Sequence, residues 1–325
     1  MISRTKMNLD RSAITAAFDK AGISGITDIS PLGDGEYNAV YSVDADRHYV
    51  IKAAPPEEVA VLTYEKNMMQ TEIYWYDLIR RNTDIRVPQV YFSDFSKETI
   101  KTDYFIMEKL EGIQRSELKA DKSEINKSTA QMLSKIHKIK GDGFGYVQNG
   151  LYENWYEALS SMISNLVSDA KRAGKKSLRG ERLLDYAGKY KDILMNVPSC
   201  MVNYDLWDPN VICSEKENGD ISYAWIDPER SFWGDKIFDF ICIGNPADSL
   251  ENKKEDIDFY NGFSDSPVSI NRETVIRYAF AQGLISLVME VEKYYRYTPR
   301  HFGWWRNVVS SNIMYKKCFE VLKNG

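Results

Sequence analysis

Cysteine and histidine are scarce. The 325 residues contain four cysteines, Cys200, Cys213, Cys242 and Cys318, irregularly spaced with no Cys-x-x-Cys pair, and three histidines, His48, His137 and His301. This pattern argues against a disulfide framework and a structural zinc site and leads us to expect a reducing, cytoplasmic setting. Surplus positive charge is also missing: 42 Lys+Arg against 47 Asp+Glu give a net charge of −5, too few cations for a nucleic-acid binder that works by neutralising phosphates. The charge-free stretch near the C-terminus, Tyr278 to Met289, is 12 residues, whereas a membrane-spanning helix needs about 20. Arg4, Lys6, Asp10 and Arg11 are followed by no apolar segment, so no signal peptide is expected. Internal repeats and low-complexity tracts are absent as well.

What is present describes a folded chain. Hydrophobic residues at 43% and charged residues at 27% are near the averages of soluble domains, which predicts a sizeable core. The length suggests about two domains or one domain with two lobes. Aromatic residues are abundant, with 21 Tyr and 7 Trp; packing with a polar tip is the default for each. Ser12–Ala21 reads as an amphipathic helix, followed by short alternating runs at Ile26–Leu32, Ala39–Val43 and Tyr49–Ala53 that predict a three-stranded meander. A long helix is predicted from about Glu58 to Arg81, then strands at Gln89–Phe92 and Tyr104–Glu108. Beyond residue 110 the pattern becomes mostly helical, with segments at Ser123–Ile139, Asn154–Ala173, Arg182–Met195, Asp235–Ile243, Arg272–Tyr295 and Trp305–Lys323. Short strands are expected near Cys200–Val202, Val211–Cys213 and Tyr223–Ile226, and Lys171–Arg182 reads as a solvated loop.

The segment with most chemistry is Met201 to Asn210. An apolar strand delivers Asp205 into a loop, Asn210 follows five residues later, and the strand Tyr223–Ile226 delivers a second carboxylate, Asp227. Two acids and an asparagine at the ends of neighbouring strands suit a hard cation with oxygen ligands and, with it, phosphoryl transfer. Taken alone, Asp205–Asn210 is a turn rich in Asp, Pro and Asn. With Ile226-Asp227-Pro228-Glu229-Arg230-x-Phe232-Trp233-Gly234-Asp235-x-x-x-Asp239 downstream, the pattern resembles the aminoglycoside phosphotransferase family.

That resemblance implies an α+β, bilobal protein-kinase-like fold, with a small β-rich nucleotide-binding lobe with one long helix over residues 1–110 and a larger, mostly helical catalytic and acceptor-binding lobe over 111–325. It implies Asp205 as catalytic base, Asn210 and Asp227 as ligands of Mg²⁺, and Asp239 as the cap of the following helix and brace of the loop. Gly33-Asp34-Gly35-Glu36-Tyr37-Asn38, between two strands, resembles the hairpin that covers the phosphates, through Gly33, Gly35 and Asn38; a plain hairpin turn would use the same residues. Lys52 resembles the phosphate-binding lysine and needs a carboxylate partner. Glu65 and Glu72 are seven apart and share a helical face, which leaves the choice open; Glu72 is favoured because Ile73, Tyr76 and Ile79 look like the buried side. Phe105–Gly112 resembles the hinge strand, where the backbone of Met107, Glu108 and Leu110 would read the base without separating ATP from GTP. His137 is expected to be structural.

The implied activity is Mg²⁺-dependent transfer of the γ-phosphate of ATP or GTP to a small-molecule hydroxyl, most simply on an aminoglycoside-like or other amino-containing acceptor. Choline-like amino alcohols, sugars and macrolides are alternative acceptors. No Asp-Phe-Gly or Ala-Pro-Glu is present, and Trp207 stands two residues after Asp205 where protein kinases carry Lys, which argues against protein-kinase activity. The pattern departs from the family at Asn203-Tyr204, where His-Gly is usual. A side chain in place of Gly would narrow the acceptor pocket, supply a hydroxyl to it, or mark a catalytically weak nucleotide-binding scaffold. Acids in Leu250–Ser266 are read as a rim for a polycation or a solvated face, and Trp155, Tyr156, Trp304 and Trp305 as acceptor walls or packing residues.

Overall fold

The computed structural model describes residues 7–33 and 37–325. In the N-lobe, helix α1 (Arg11–Lys20) starts at Asp10, whose carboxylate accepts the Ala13 N–H at 2.8 Å. Strands β1 (Asp28–Pro31), β2 (Ala39–Asp44), β3 (His48–Ala53), β4 (Val90–Asp94) and β5 (Tyr104–Glu108) form one antiparallel sheet in the order β1-β2-β3-β5-β4. Period-2 alternation divides its faces. Tyr49, Ile51, Ala53, Tyr104 and Ile106 pack with Ile14, Ala17 and Phe18 of α1, while Val50, Phe105 and Met107 join the large core shared with the C-lobe. Lys52 has the parity of Val50 and so points toward the cleft between the lobes.

Helix α2 (Met68–Asn82) begins ten residues later than the sequence predicts. Asn67 stands in the left-handed region at φ 59°, and the chain before it makes only a 3₁₀ turn at Thr63–Glu65. The reason lies far away in sequence. Asp169 accepts both the N–H and the hydroxyl of Thr63, at 2.8 and 2.6 Å, and Glu65 accepts from Arg296 at 2.6 Å, so this segment is fastened to the C-lobe and cannot continue the helix.

The C-lobe adds β6 (Ile113–Gln114), α3 (Lys122–Ile136), α4 (Trp155–Arg172), α5 (Leu178–Lys189) and α6 (Lys191–Met195). Then come β7 (Cys200–Val202), β8 (Val211–Glu215), β9 (Ile221–Trp225), β10 (Phe232–Gly234), α7 (Lys254–Phe263), α8 (Arg272–Arg296) and α9 (Phe302–Asn324). β7 pairs with β10, and β8 lies between β6 and β9, so both chemistry-bearing loops sit at the ends of short antiparallel pairs. Lys171–Arg182 is not a continuous loop. Ser177 caps α5 at Gly180, and Arg179 and Arg182 lie over the rings of Tyr315 and Phe319, 4.9 and 4.5 Å from their centroids. Asp235–Ile243 forms a 3₁₀ helix, Lys236–Cys242, rather than an α-helix. α8 is long and apolar enough by length and composition to cross a membrane, but 72% of its most apolar window is buried within the lobe.

Trp155 is no acceptor wall. It is fully buried, stacked on Phe232 at 5.6 Å and edge-on to Phe238 at 4.8 Å. Trp155→Ala should therefore lower the unfolding free energy by about 3–5 kcal/mol; an unchanged denaturant midpoint would contradict this packing role.

Candidate active site

Asp239 organises the loop that carries Asp205. Its carboxylate accepts the N–H groups of Asn203 and Tyr204, at 2.8 and 2.6 Å, and lies 3.0 Å from Nε2 of His137, whose Nδ1 meets the Tyr260 hydroxyl at 3.0 Å. The capping role read for Asp239 belongs instead to Asp235, which accepts the Ile237 N–H. Asn203 Oδ1 accepts the Asp205 N–H at 2.6 Å. Asn210 donates its amide to the Asp205 carbonyl at 3.0 Å and to its carboxylate at 3.3 Å, and the Ile226 N–H donates back to the Asn210 carbonyl at 2.9 Å. These bonds draw Asp205, Asn210 and the segment that leads from β9 to Asp227 into one place.

Tyr204 takes φ 64°, a region that glycine occupies freely and other residues only at a cost of about 1–3 kcal/mol. Its ring does not enter an acceptor pocket. It packs against Phe232 and Phe238, and its hydroxyl donates to the Ala281 carbonyl on α8 at 2.6 Å. Replacement of Gly by Tyr thus bolts the loop to the longest helix.

Lys52 closes the other side. Its ammonium donates to Glu72 at 2.8 Å, Asp227 at 2.9 Å and Glu229 at 2.9 Å. Burial opposes its charge, but Asp227, Glu229 and Glu72 hold it well above the usual lysine range. Glu65 is absent from this group because it faces Arg296. Asp227 is in the left-handed region at φ 56°, with its N–H donated to the Tyr76 hydroxyl at 3.0 Å. Asn38 is buried and donates to Glu229 at 2.9 Å, joining the hairpin to the same cluster. Gly33 has φ 69°, as a turn requires, and Gly35 lies outside the described residues. At the hinge, the Glu108 N–H donates to the Gln89 carbonyl at 2.8 Å and its carboxylate accepts from Arg86, while Met107 is buried in the core and Leu110 is half-buried.

Besides Glu229, four contributors carry no role predicted from the sequence: Arg230, Glu292, Arg296 and Arg115. Arg230 places Nε 3.6 Å from the Asp205 carboxylate and donates to Glu292 at 2.8 Å; Glu292 meets Arg296 at 2.6 Å, and Arg296 meets Glu65. Burial pushes the Asp205 carboxyl up to about 7, with Arg230 pulling the other way. Arg230 follows Asp227 closely enough to have been suspected. Glu292 and Arg296 offered only an i,i+4 pair on a helix. Arg115, fully buried just after the hinge, donates to Asp208 of the Asp205 loop and to Thr129 of α3, both at 2.8 Å.

A model of the phosphotransferase enzyme family matches residues 28–265, well over half of the chain. The chain belongs to that family. Solved structures agree on the protein-kinase-like fold. A putative aminoglycoside phosphotransferase from Ralstonia eutropha is 15% identical with TM-score 0.66, covering 97% of this chain and 99% of that one. A putative fructosamine-3-kinase from Thermobifida fusca is 16% identical with TM-score 0.67, covering 96% and 100%. A thermostable mutant of aminoglycoside phosphotransferase APH(4)-Ia, in ternary complex with AMP-PNP and hygromycin B, is 16% identical with TM-score 0.61, covering 97% and 99%. No curated protein matches the chain.

In this phosphotransferase the acids of Leu250–Ser266 divide. Asp256 is buried and accepts from Asn126, Asp258 and Asp265 make exposed pairs with Lys254 and Lys138, and Glu251 and Glu255 lie on the surface. The oxygens available to a divalent cation lie at Asn210 and Asp227. Asn210 spends its side-chain nitrogen on Asp205 and leaves its side-chain Oδ1, while the Asp227 side chain is 36% exposed with one oxygen beyond that facing Lys52. Among the described residues no three His, Cys, Asp or Glu side chains form a metal cage. This sparse set fits Mg²⁺, which keeps few protein ligands and completes its octahedron with phosphates and water.

Tyr204→Gly separates the two energies at that position. Relief of the positive φ is worth about 1–3 kcal/mol against the roughly 3–5 kcal/mol lost with a buried aromatic ring, so denaturant unfolding should show a net loss of about 2 kcal/mol. A stabilised variant would refute the anchoring role.

Proposed function

We propose that this phosphotransferase moves the γ-phosphoryl group of ATP or GTP to a hydroxyl of a small, amine-bearing molecule. The observation that carries the reading is the convergence of Asp205, Asn210 and Asp227 opposite the buried Lys52–Glu72 pair. Asp205 accepts the proton of the attacking hydroxyl, and a carboxyl raised toward neutrality by burial has a proton affinity suited to that task. Lys52 holds the phosphates, and Arg230 keeps Asp205 charged and oriented. When bound between Asn210 and Asp227, Mg²⁺ would neutralise charge on the transferring group.

The preference for an amine rests on charge. Among the described residues the carboxylates of Asp205, Asp227, Glu229, Glu72, Glu292 and Glu65 outnumber the cations paired with them, Lys52, Arg230 and Arg296, even with Arg306 acting on Glu292, and this excess favours a cationic acceptor. Aminoglycoside and fructosamine, the substrates named for the similar structures, are both amine-bearing polyols. The enzyme reading is preferred to the scaffold alternative because Asn203 and Tyr204 both hold the Asp205 loop in place.

A coupled ADP/GDP-release screen over aminoglycosides, fructosamines, choline-like amino alcohols, neutral sugars and macrolides should give acceptor-dependent turnover with an amine-bearing compound. Nucleotide binding without turnover over the whole panel would favour the scaffold. Asp205→Ala should lower kcat by about 10²–10⁴ with nucleotide affinity nearly unchanged; near-normal turnover would remove Asp205 from the role of base. Asp227→Ala and chelation by EDTA should each abolish turnover, and activity that survives EDTA would exclude the Mg²⁺ requirement.

A further inference from the structure

An ammonium has three N–H donors. All three on Lys52 are committed, to Glu72, Asp227 and Glu229, so a phosphate oxygen reaches Lys52 only if one carboxylate withdraws. Glu72 is fully buried on α2, and Asp227, though more exposed than Glu229, carries a short side chain on a left-handed backbone whose N–H is held by the Tyr76 hydroxyl, which limits its reach. Glu229 is the movable partner. It projects from a 3₁₀ turn, Pro228–Arg230, on a long side chain that is 14% exposed. A single oxygen, Oε2, accepts from both Lys52 and the Asn38 amide of the hairpin, each at 2.9 Å. Asn38 is buried, its side-chain oxygen has no partner among the described residues, and its amide is held by the bond to Glu229.

We propose that Glu229 is a displaceable latch whose carboxylate oxygen stands in for a phosphate oxygen between Lys52 and Asn38. An arriving polyphosphate replaces it at Lys52 and frees Asn38. The latch makes binding of nucleotide without a cation unfavourable in two ways, by competing for the lysine and by adding a third negative charge around it. The inference rests on reading Lys52 as the phosphate lysine, and it makes Glu229 a specificity residue for the metal–nucleotide complex over the bare nucleotide.

The test is calorimetric titration of the full chain with ADP, once with Mg²⁺ and once in excess EDTA. Wild-type protein should bind ADP with Mg²⁺ and much more weakly in EDTA. Glu229→Gln should bind ADP in EDTA about tenfold or more tighter than wild type, the scale of one lost charge-assisted hydrogen bond. Asn38→Ala, which removes the second anchor of Oε2, should shift EDTA affinity in the same direction by a smaller factor, and it stands as the test if Glu229→Gln fails to fold. Equal or weaker EDTA affinity in the folded variants, with normal Mg²⁺-ADP binding by wild type, overturns the latch and leaves the phosphotransferase reading standing. Absence of binding by wild type and variants in both conditions overturns the phosphate role of Lys52 and the latch together.

Discussion

One buried ammonium ties the two lobes together. Lys52 comes from the central strand of the N-lobe sheet, Glu72 from the helix behind it, and Asp227 and Glu229 from a strand end and turn of the C-lobe. Leaving a buried charge unpaired costs several kcal/mol, so the lysine is tolerable only while these elements keep their places. The sheet face toward the cleft, the depth of α2 and the left-handed turn at Asp227 are therefore linked conditions. In the proposed function the same ammonium seats a phosphate, which would make the cleft both the structural joint and the chemical centre.

A second joint lies beside it. The alternating chain Asp205, Arg230, Glu292, Arg296, Glu65 runs from the acidic loop through the end of α8 to the segment before α2. Asp169 fastens that segment through Thr63, and the carbonyl of Asp169 accepts from Tyr295 of α8 at 2.8 Å. In this arrangement Glu72 is held on Lys52 by contacts made within the chain. Asp239 has the matching task on the C-lobe side, gathering Asn203, Tyr204 and His137 on one carboxylate.

The strands of the N-lobe were legible because alternation is a local property: β2 and β3 fall within a residue of their predicted limits. The start of α2 was not. Nothing around Glu58–Asn67 announces a break, since the contacts that impose it come from residues 169 and 296. Glu65 and Glu72 looked equivalent by spacing and differ only because one meets Arg296 and the other Lys52. Tyr204 was visible as a departure from a pattern, yet its direction depended on a cavity among Phe232, Phe238 and the carbonyl of Ala281. Trp155 read equally well as wall or core until its neighbours were known.

The sequence by itself determined the chemistry on offer: two acids and an asparagine at loop positions five and seventeen residues apart, a lysine on an alternating strand, no surplus of cations and no cysteine framework. Backbone periodicity and short-range spacing carry that information. Tertiary structure alone decided the partnerships: which glutamate holds Lys52, which acids of residues 250–266 are spent on internal bonds, and how Arg230 reaches both Asp205 and Glu292. The physical reason is range. Charge pairing inside a protein depends on distance and burial, and the residues that meet here are separated by as many as 231 positions along the chain.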